Sequence, residues 1–255
     1  MRVNRGYDIC FFFLIYHFVR IEDSFFFPIH PSDRSRERGL ARKTYHRIMS
    51  QVIVVGGGLA GMSAAHTVLQ AGGRVVVLDK SAFCGGNSTK ATSGINAAGS
   101  RTQRVLNIPD AAEIFEKDTA KSAGSLVRPN LVKALTHQSG PAVDWLMDAF
   151  GLDLTVVSRL AAHSHPRTHR GSSGGQFPGM MITYQLMEEL DKIAEKRSDI
   201  ARVVNKATVT RLLDDGAGNV VGVEYEKGGA TFKEYGPVVI STGGFGADFS
   251  DGSLL

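Results

Sequence analysis

Residues 51–55 (QVIVV) are an apolar run short enough to be a strand buried on both faces, and they pass straight into three glycines. The small residues that follow (MSAAH, 62–66) fit a helix packed close to that strand. A second strand pattern, RVVVL (74–78), ends in Asp79. Residues 110–124 read as a helix entered through Pro109-Asp110 and closed near Gly124. Pro129 suits the first turn of the next, PNLVKALTHQS. Gly140-Pro141 predicts a break there, with a third helix, AVDWLMDAF, running to Gly151. Trp145 and Phe150 in it read as core residues. Residues 180–196 repeat apolar positions at helical spacing, with Ile182, Leu186, Leu190 and Ile193 inward.

From Arg202 the period shortens to that of strands. RVVN and ATVTRLLDD lead to a turn at residues 216–219, then VVGVEYEK, a Gly228-Gly229 turn and ATFKEYG. A last apolar strand, PVVIST (237–242), enters Gly243-Gly244, and the carboxyl end of such a strand is where α/β sheets place ligands. The pattern predicts an α/β fold: a Rossmann-like parallel sheet with helices, interrupted by an antiparallel β-meander.

The chemistry is concentrated at the first turn. Gly56-x-Gly58-x-x-Gly61 is a dinucleotide fingerprint: the glycines permit a tight turn, close approach of backbone to a pyrophosphate, and a helix start near the sheet. The helix amides and dipole then face the phosphates. On its own the spacing is weak, but strand, helix and Asp79 supply its context. Asp79 stands where an acidic residue meets a ribose hydroxyl. Residues 80–99 are dense in glycine, hydroxyls and Asn, a composition suited to wrapping phosphates and a polar ring system. The meander departs from the plain nicotinamide fold and favours FAD over NAD.

Other signals are weaker. Residues 158–178 hold His163, His165, His169, Arg167 and Arg170, which suggests an anion- or cofactor-facing loop. No carboxylate or cysteine stands beside them in the sequence, so no metal site is expected. Cys10 and Cys84 make no metal- or haem-binding spacing, and Cys84 reads as a free thiol in a reducing setting. The formal charge of +4 lies in the first 50 residues, with 9 Lys/Arg against 5 Asp/Glu, whereas the rest carries 20 of each. The folded body therefore gives no charge argument for nucleic acid. Within that extension, residues 9–19 (ICFFFLIYHFV) are too short for a stable membrane span and fit a signal-type segment, and residues 32–47 are Arg-rich. Residues 1–48 read as a disordered targeting segment or as sequence ahead of a true start at Met49. The domain is expected over residues 49–255, in a mitochondrial or cytoplasmic setting.

Taken together, GGGLAGMSAA, VVVLDK, GGNSTKATSGINAAG, the DWL segment, HRGSSGG and ISTGGF resemble the soluble FAD-dependent fumarate reductases. These belong to a wider flavoprotein group with succinate dehydrogenase flavoprotein subunits and L-aspartate oxidase. The likeness spans about residues 51–250. It implies that Gly56, Gly57, Gly58, Leu59, Ala60 and Gly61 hold the FAD pyrophosphate and that Asp79, with Lys80 beside it, takes the adenosine ribose. Asn87, Ser88 and Thr89 would meet the pyrophosphate and ribityl chain, and Ser93, Gly94, Ile95 and Asn96 the isoalloxazine. Val209 would flank the adenine, and Thr242 and Gly243 would close over the nucleotide. Asn87 stands where membrane-complex relatives carry a flavin-linked histidine, so FAD is expected to be non-covalent.

The family reduces an activated alkene such as fumarate, using residues that lie downstream of the ISTGGF strand. On that basis no catalytic residue is assigned here. The chain is expected to be truncated, without the capping domain, the last part of the FAD domain and the dicarboxylate-binding and proton-donor groups. The electron donor stays open. Alternatives are a non-catalytic FAD-binding fragment and a related reductase acting on a steroid or urocanate; an NAD-binding dehydrogenase fits the meander less well.

Overall fold

The computed structural model describes residues 51–172, 176–244 and 246. The N-terminal extension, with its targeting reading, lies outside them, as do residues 173–175 of HRGSSGG and the last nine residues. The first unit is β1 (Gln51–Val55), α1 (Leu59–Gln70) and β2 (Arg74–Asp79). A 3-10 turn (Gly86–Lys90) and the two-residue β3 (Ile95–Asn96) come next. The helices α2 (Arg101–Val105), α3 (Ala112–Ala123) and α4 (Pro129–Phe150) lead to β4 (Val156–Ser158), β5 (Thr168–Arg170) and α5 (Pro178–Lys196). The chain then runs through β6 (Ala201–Asn205), β7 (Thr208–Asp214), β8 (Val220–Lys227), β9 (Ala230–Tyr235) and β10 (Val238–Ile240).

The order β10-β1-β2-β6 makes a four-stranded sheet, parallel throughout, with Val54 opposite both Val77 and Val239. Side chains alternate faces along a strand, and the two faces are covered differently. Val54, Val75 and Val77 pack into a core with α1, α4 and α5, through Met62, Ala64, Ala65, Val143, Leu146, Ile182, Leu186 and Leu190. Ile53, Val55, Val76 and Leu78 meet the meander, through Ala207, Val223 and Tyr225. Burial on both sides explains the continuous apolar runs, each such side chain contributing about 1.5–3 kcal/mol. The antiparallel meander β7-β8-β9 follows the sequence pattern. RVVN, adjacent to it in sequence, instead joins the parallel sheet as β6 beside β2.

Gly140-Pro141 does not end a helix, contrary to the expectation from sequence. α4 continues through both residues for 22 residues in all. Pro141 removes one backbone donor, a cost normally sufficient to break a helix. Here tertiary contacts hold the chain: a Cβ at Gly140 would lie 2.5 Å from the Ala98 carbonyl oxygen, and Ser139 Oγ accepts from Ala98 N at 2.9 Å. The glycine thus serves the approach of the residue 97–99 segment to α4.

The histidine- and arginine-rich segment, expected as an anion- or cofactor-facing loop, is not a loop throughout. It supplies β5, the middle strand of a three-stranded sheet β3-β5-β4, and Arg167, Thr168 and His169 are buried. The reason is long-range. Asp110 and Asp118, 57 and 49 positions upstream, neutralise Arg167 there. Among the described residues no helix is long and apolar enough to cross a membrane.

Candidate functional site

The three fingerprint glycines answer to different needs. Gly56 turns the chain out of β1 at φ +100°, which side chains rarely adopt, and a Cβ there would lie 2.5 Å from the Ser241 carbonyl oxygen. A Cβ at Gly61 would collide with the Gly56 carbonyl oxygen and approach Ser241 Oγ at 2.9 Å. Both positions are closed by the protein itself. Gly58 is not. Its backbone, φ −75° and ψ −175°, is open to any residue, and a Cβ would make ordinary contacts with Ser88 Oγ at 3.5 Å and Gly85 O at 3.8 Å. Nothing in the protein requires glycine at 58. The space beside its backbone is thus left free on the side where the dinucleotide fingerprint calls for close approach of a pyrophosphate.

The surrounding loops are fastened to this turn. Gly85 N donates to Gly57 O at 2.8 Å, and Gly58 and Gly85 form a parallel bridge. Leu59 N, the first amide of α1, donates to Ser88 Oγ at 3.1 Å. Ser241, which the sequence did not single out, donates its hydroxyl toward the carbonyl oxygens of Val55 and Gly56, both at 2.9 Å. A small hydroxyl directly before Thr242-Gly243 was the available sign of it.

Asp79 ends β2 and is 9% exposed. Its Oδ2 accepts from Gly57 N and its Oδ1 from Ser81 N, both at 2.7 Å. It therefore fixes the glycine turn, leaving each oxygen a further lone pair for a ribose hydroxyl. Behind it Cys84 is buried and its Sγ donates weakly to Asn205 Oδ1 at 3.4 Å. Burial, with the charges of Asp79 and Asp191, pushes the thiol up to about 12, so it stays protonated.

The remaining residues take the following places. Ala60 and Gly61 are buried in the first turn of α1, and Lys80 is exposed. Asn87 is exposed and accepts from Lys90 Nζ at 3.0 Å, and Thr89 Oγ1 donates to Gly86 O at 3.1 Å. Ser93 is exposed, while Gly94, Ile95 and Asn96 are half-buried on and beside β3. Val209, at the start of the meander, packs against the Ile53–Leu78 face of the sheet. Thr242 and Gly243 are exposed just beyond β10, next to Ser241. The structure thus brings the glycine turn, Asp79, Ser88 and Ser241 into one hydrogen-bonded cradle. The 93–96 segment belongs to a second structure built on β5.

That second structure is held by a buried charge network. Arg167 donates from Nε and Nη2 to the two oxygens of Asp110 at 3.0 and 2.9 Å, and from Nη2 to Asp118 at 2.9 Å. Its Nη1 has no hydrogen-bond partner among the described residues, and the guanidinium lies 4.6 Å from the Phe115 ring centroid. Burial opposes ionisation of Asp118, but the Ser164 amide and hydroxyl together with Arg167 hold its carboxyl below the usual range. His169 is fully buried, with Nδ1 donating to Arg167 O at 2.8 Å and Nε2 accepting from Ser100 Oγ at 2.7 Å. A carbonyl can only accept, which fixes this neutral tautomer. Burial lowers the ring's pKa from its ordinary value. Arg170 is exposed beyond them. Among the described residues no group of three His, Cys, Asp or Glu is placed to hold a metal ion.

Residues 51–253 match the family described as "FAD binding domain". The chain is 46% identical over 211 residues to a fumarate reductase of Schizosaccharomyces pombe, covering 81% of this chain and 40% of that protein. It is 38% identical over 200 residues to fumarate reductase 1 of Saccharomyces cerevisiae, covering 78% and 42%. The structure of the open conformation of a flavocytochrome c3 fumarate reductase superposes with a TM-score of 0.70 at 29% identity, covering 86% of this chain and 40% of that one. The chain thus spans about two fifths of the length of these relatives.

Proposed function

From the premise that this chain belongs to the FAD binding domain family of flavoproteins, we propose that it is the FAD-holding part of an oxidoreductase of the fumarate reductase type. The observation that carries this is the cradle at Gly58: a glycine demanded by no protein contact, bordered by Ser88 and Asp79 at the start of α1. When bound there, FAD supplies hydride chemistry at its N5. The protein's part is to bind and orient it. The Gly56–Gly61 turn with Ser88, Asn87 and Thr89 takes the pyrophosphate, Asp79 and Lys80 the ribose, and Val209, Thr242 and Gly243 the adenine end. Ser93, Gly94, Ile95 and Asn96 line the ring. Asn87 offers no nucleophile for a flavin bond, and no histidine lies between Cys84 and Gly99, so the cofactor is held non-covalently.

Fumarate as the acceptor follows the names of the relatives and not a side chain of this site. Arg167 and His169 are buried and engaged with Asp110, Asp118 and Ser100. Neither is given a role toward substrate. The test is anaerobic reoxidation of the dithionite-reduced, FAD-loaded chain by fumarate. Reoxidation would place the whole reaction within these 255 residues. Retained FAD with no response to fumarate would limit the chain to the cofactor half of the chemistry. A chain that takes up no FAD would overturn the proposal.

A further inference from the structure

The peptide unit joining Gly56 to Gly57 sits at the centre of the glycine turn, and it is gripped at both ends. Its N–H, that of Gly57, donates to Asp79 Oδ2 at 2.7 Å. Its carbonyl, that of Gly56, accepts from Ser241 Oγ at 2.9 Å and has no other donor among the described residues. Ser241 Oγ also stands 2.9 Å from Val55 O. Both neighbours are carbonyls, which only accept, so rotation of the hydroxyl cannot reverse either bond. Val55 O receives Ser241 N as well, at 2.9 Å, which pins the serine beside β1. Ser241 is 6% exposed, and its hydroxyl fills space that a Cβ at Gly61 would approach to 2.9 Å.

Without this grip little would stop the unit from turning over. Flanking side chains limit the rotation of a peptide unit, and here both flanks are glycines, with Gly56 at φ +100°. A reversed unit would take the Gly57 N–H away from Asp79 and turn the Gly56 carbonyl toward that carboxylate, acceptor against acceptor. We propose that Ser241 is a positioning residue for FAD. By holding the Gly56 carbonyl, it keeps the Gly56–Gly57 unit in the orientation that bonds Asp79 to the turn and leaves the cradle at Gly58 formed before the cofactor arrives. This rests on the FAD reading above, in which Ser241 has no part. Once the hydroxyl is removed, the turn divides its population between orientations, and only the competent fraction binds.

The experiment compares wild type with Ser241→Ala, which deletes the donor without adding bulk. The readouts are the FAD dissociation constant, the association and dissociation rates, and amide resonances of the apo protein labelled with 15N-glycine. Affinity is expected to fall about five-fold, the scale of one neutral hydrogen bond. The loss should lie in the association rate, with dissociation near wild type, because FAD leaves the same competent turn. The Gly57 amide proton, held downfield by its bond to a carboxylate, should move upfield, while Gly151 at the end of α4 stays in place. Wild-type affinity in Ser241→Ala would overturn the assignment and leave the FAD reading intact. So would a loss carried by faster dissociation, the mark of direct contact with FAD. A weakened affinity with an unmoved Gly57 resonance would overturn it too, by reducing Ser241 to packing. A wild-type chain that binds no FAD would overturn both readings together.

Discussion

A glycine required by its protein neighbours and a glycine required by a ligand respond differently to one added methyl group. Gly61→Ala would drive its Cβ into the Gly56 carbonyl, and the apo protein should lose about 1–3 kcal/mol in urea unfolding. Gly58→Ala meets no such obstacle. Its apo stability should match wild type or exceed it by about 0.4–1 kcal/mol, because alanine narrows the unfolded ensemble. Its FAD affinity should nevertheless fall about ten-fold or more, read by titration against protein fluorescence. Wild-type FAD affinity in Gly58→Ala would contradict the cradle. Cys84 gives a pH signature at the same scale. The unfolded thiol loses its proton near its ordinary 9.0, whereas the folded one keeps it to about 12. Between those values the unfolded state binds fewer protons, so stability falls as pH rises through the window. Alkaline urea melts should show a shallower fall for Cys84→Ala than for wild type.

At the scale of elements, α4 and β5 are where tertiary structure overrode the local pattern. Pro141 is exposed and inside a helix held by Ala98 and Ser139. Pro141→Ala restores a backbone donor, and after the loss of proline's restraint on the unfolded chain it should stabilise the protein by about 1–2 kcal/mol. A destabilised variant would mean that the proline shapes α4 in a way its neighbours need. Arg167→Met should be costly in the opposite sense. Removing the guanidinium leaves Asp110 and Asp118 uncompensated, a loss of about 3–5 kcal/mol in chemical denaturation. The β1–α1–β2 unit was legible because glycines, apolar period and Asp79 all lie within thirty residues. The same holds for α5 and the meander, whose patterns are local. The fate of Arg167 and His169 was not legible, since their partners Asp110, Asp118 and Ser100 lie far upstream and nothing in a basic run announces that it will be buried. The membership of β6 in the parallel sheet was hidden for a like reason: four residues beside a meander fit either sheet, and only α5 carries the strand back beside β2. In the cradle, the glycines and Asp79 were visible in sequence, but the hold of Asp79 on Gly57 N and that of Ser241 on the turn are products of folding.

For the whole molecule, two buried histidines and two hydrogen-bonded carboxylates in separate places bear on the acid side of stability. Burial lowers the pKa values of His66 and His169 from 6.5. Below that pH the unfolded chain takes up protons that the folded one refuses, so stability falls as pH drops toward the folded values. Below 3.8 the stability contributed by Asp153 and Asp118 declines as well, since hydrogen bonds hold both folded carboxyls below that value and the unfolded chain takes up protons first. Against this background FAD should act as the chief stabilising ligand. At a hundred-fold excess over its dissociation constant it should add about 2.7 kcal/mol. The most direct measurement is to purify the chain with its cofactor, record the visible spectrum, then denature it in acid and separate protein from filtrate. A flavin band that travels with the native chain and passes wholly into the filtrate on denaturation is the expected result. A native chain that remains colourless after incubation with FAD, or flavin that stays with the precipitated protein, would contradict a non-covalent FAD site at the Gly56–Gly61 turn.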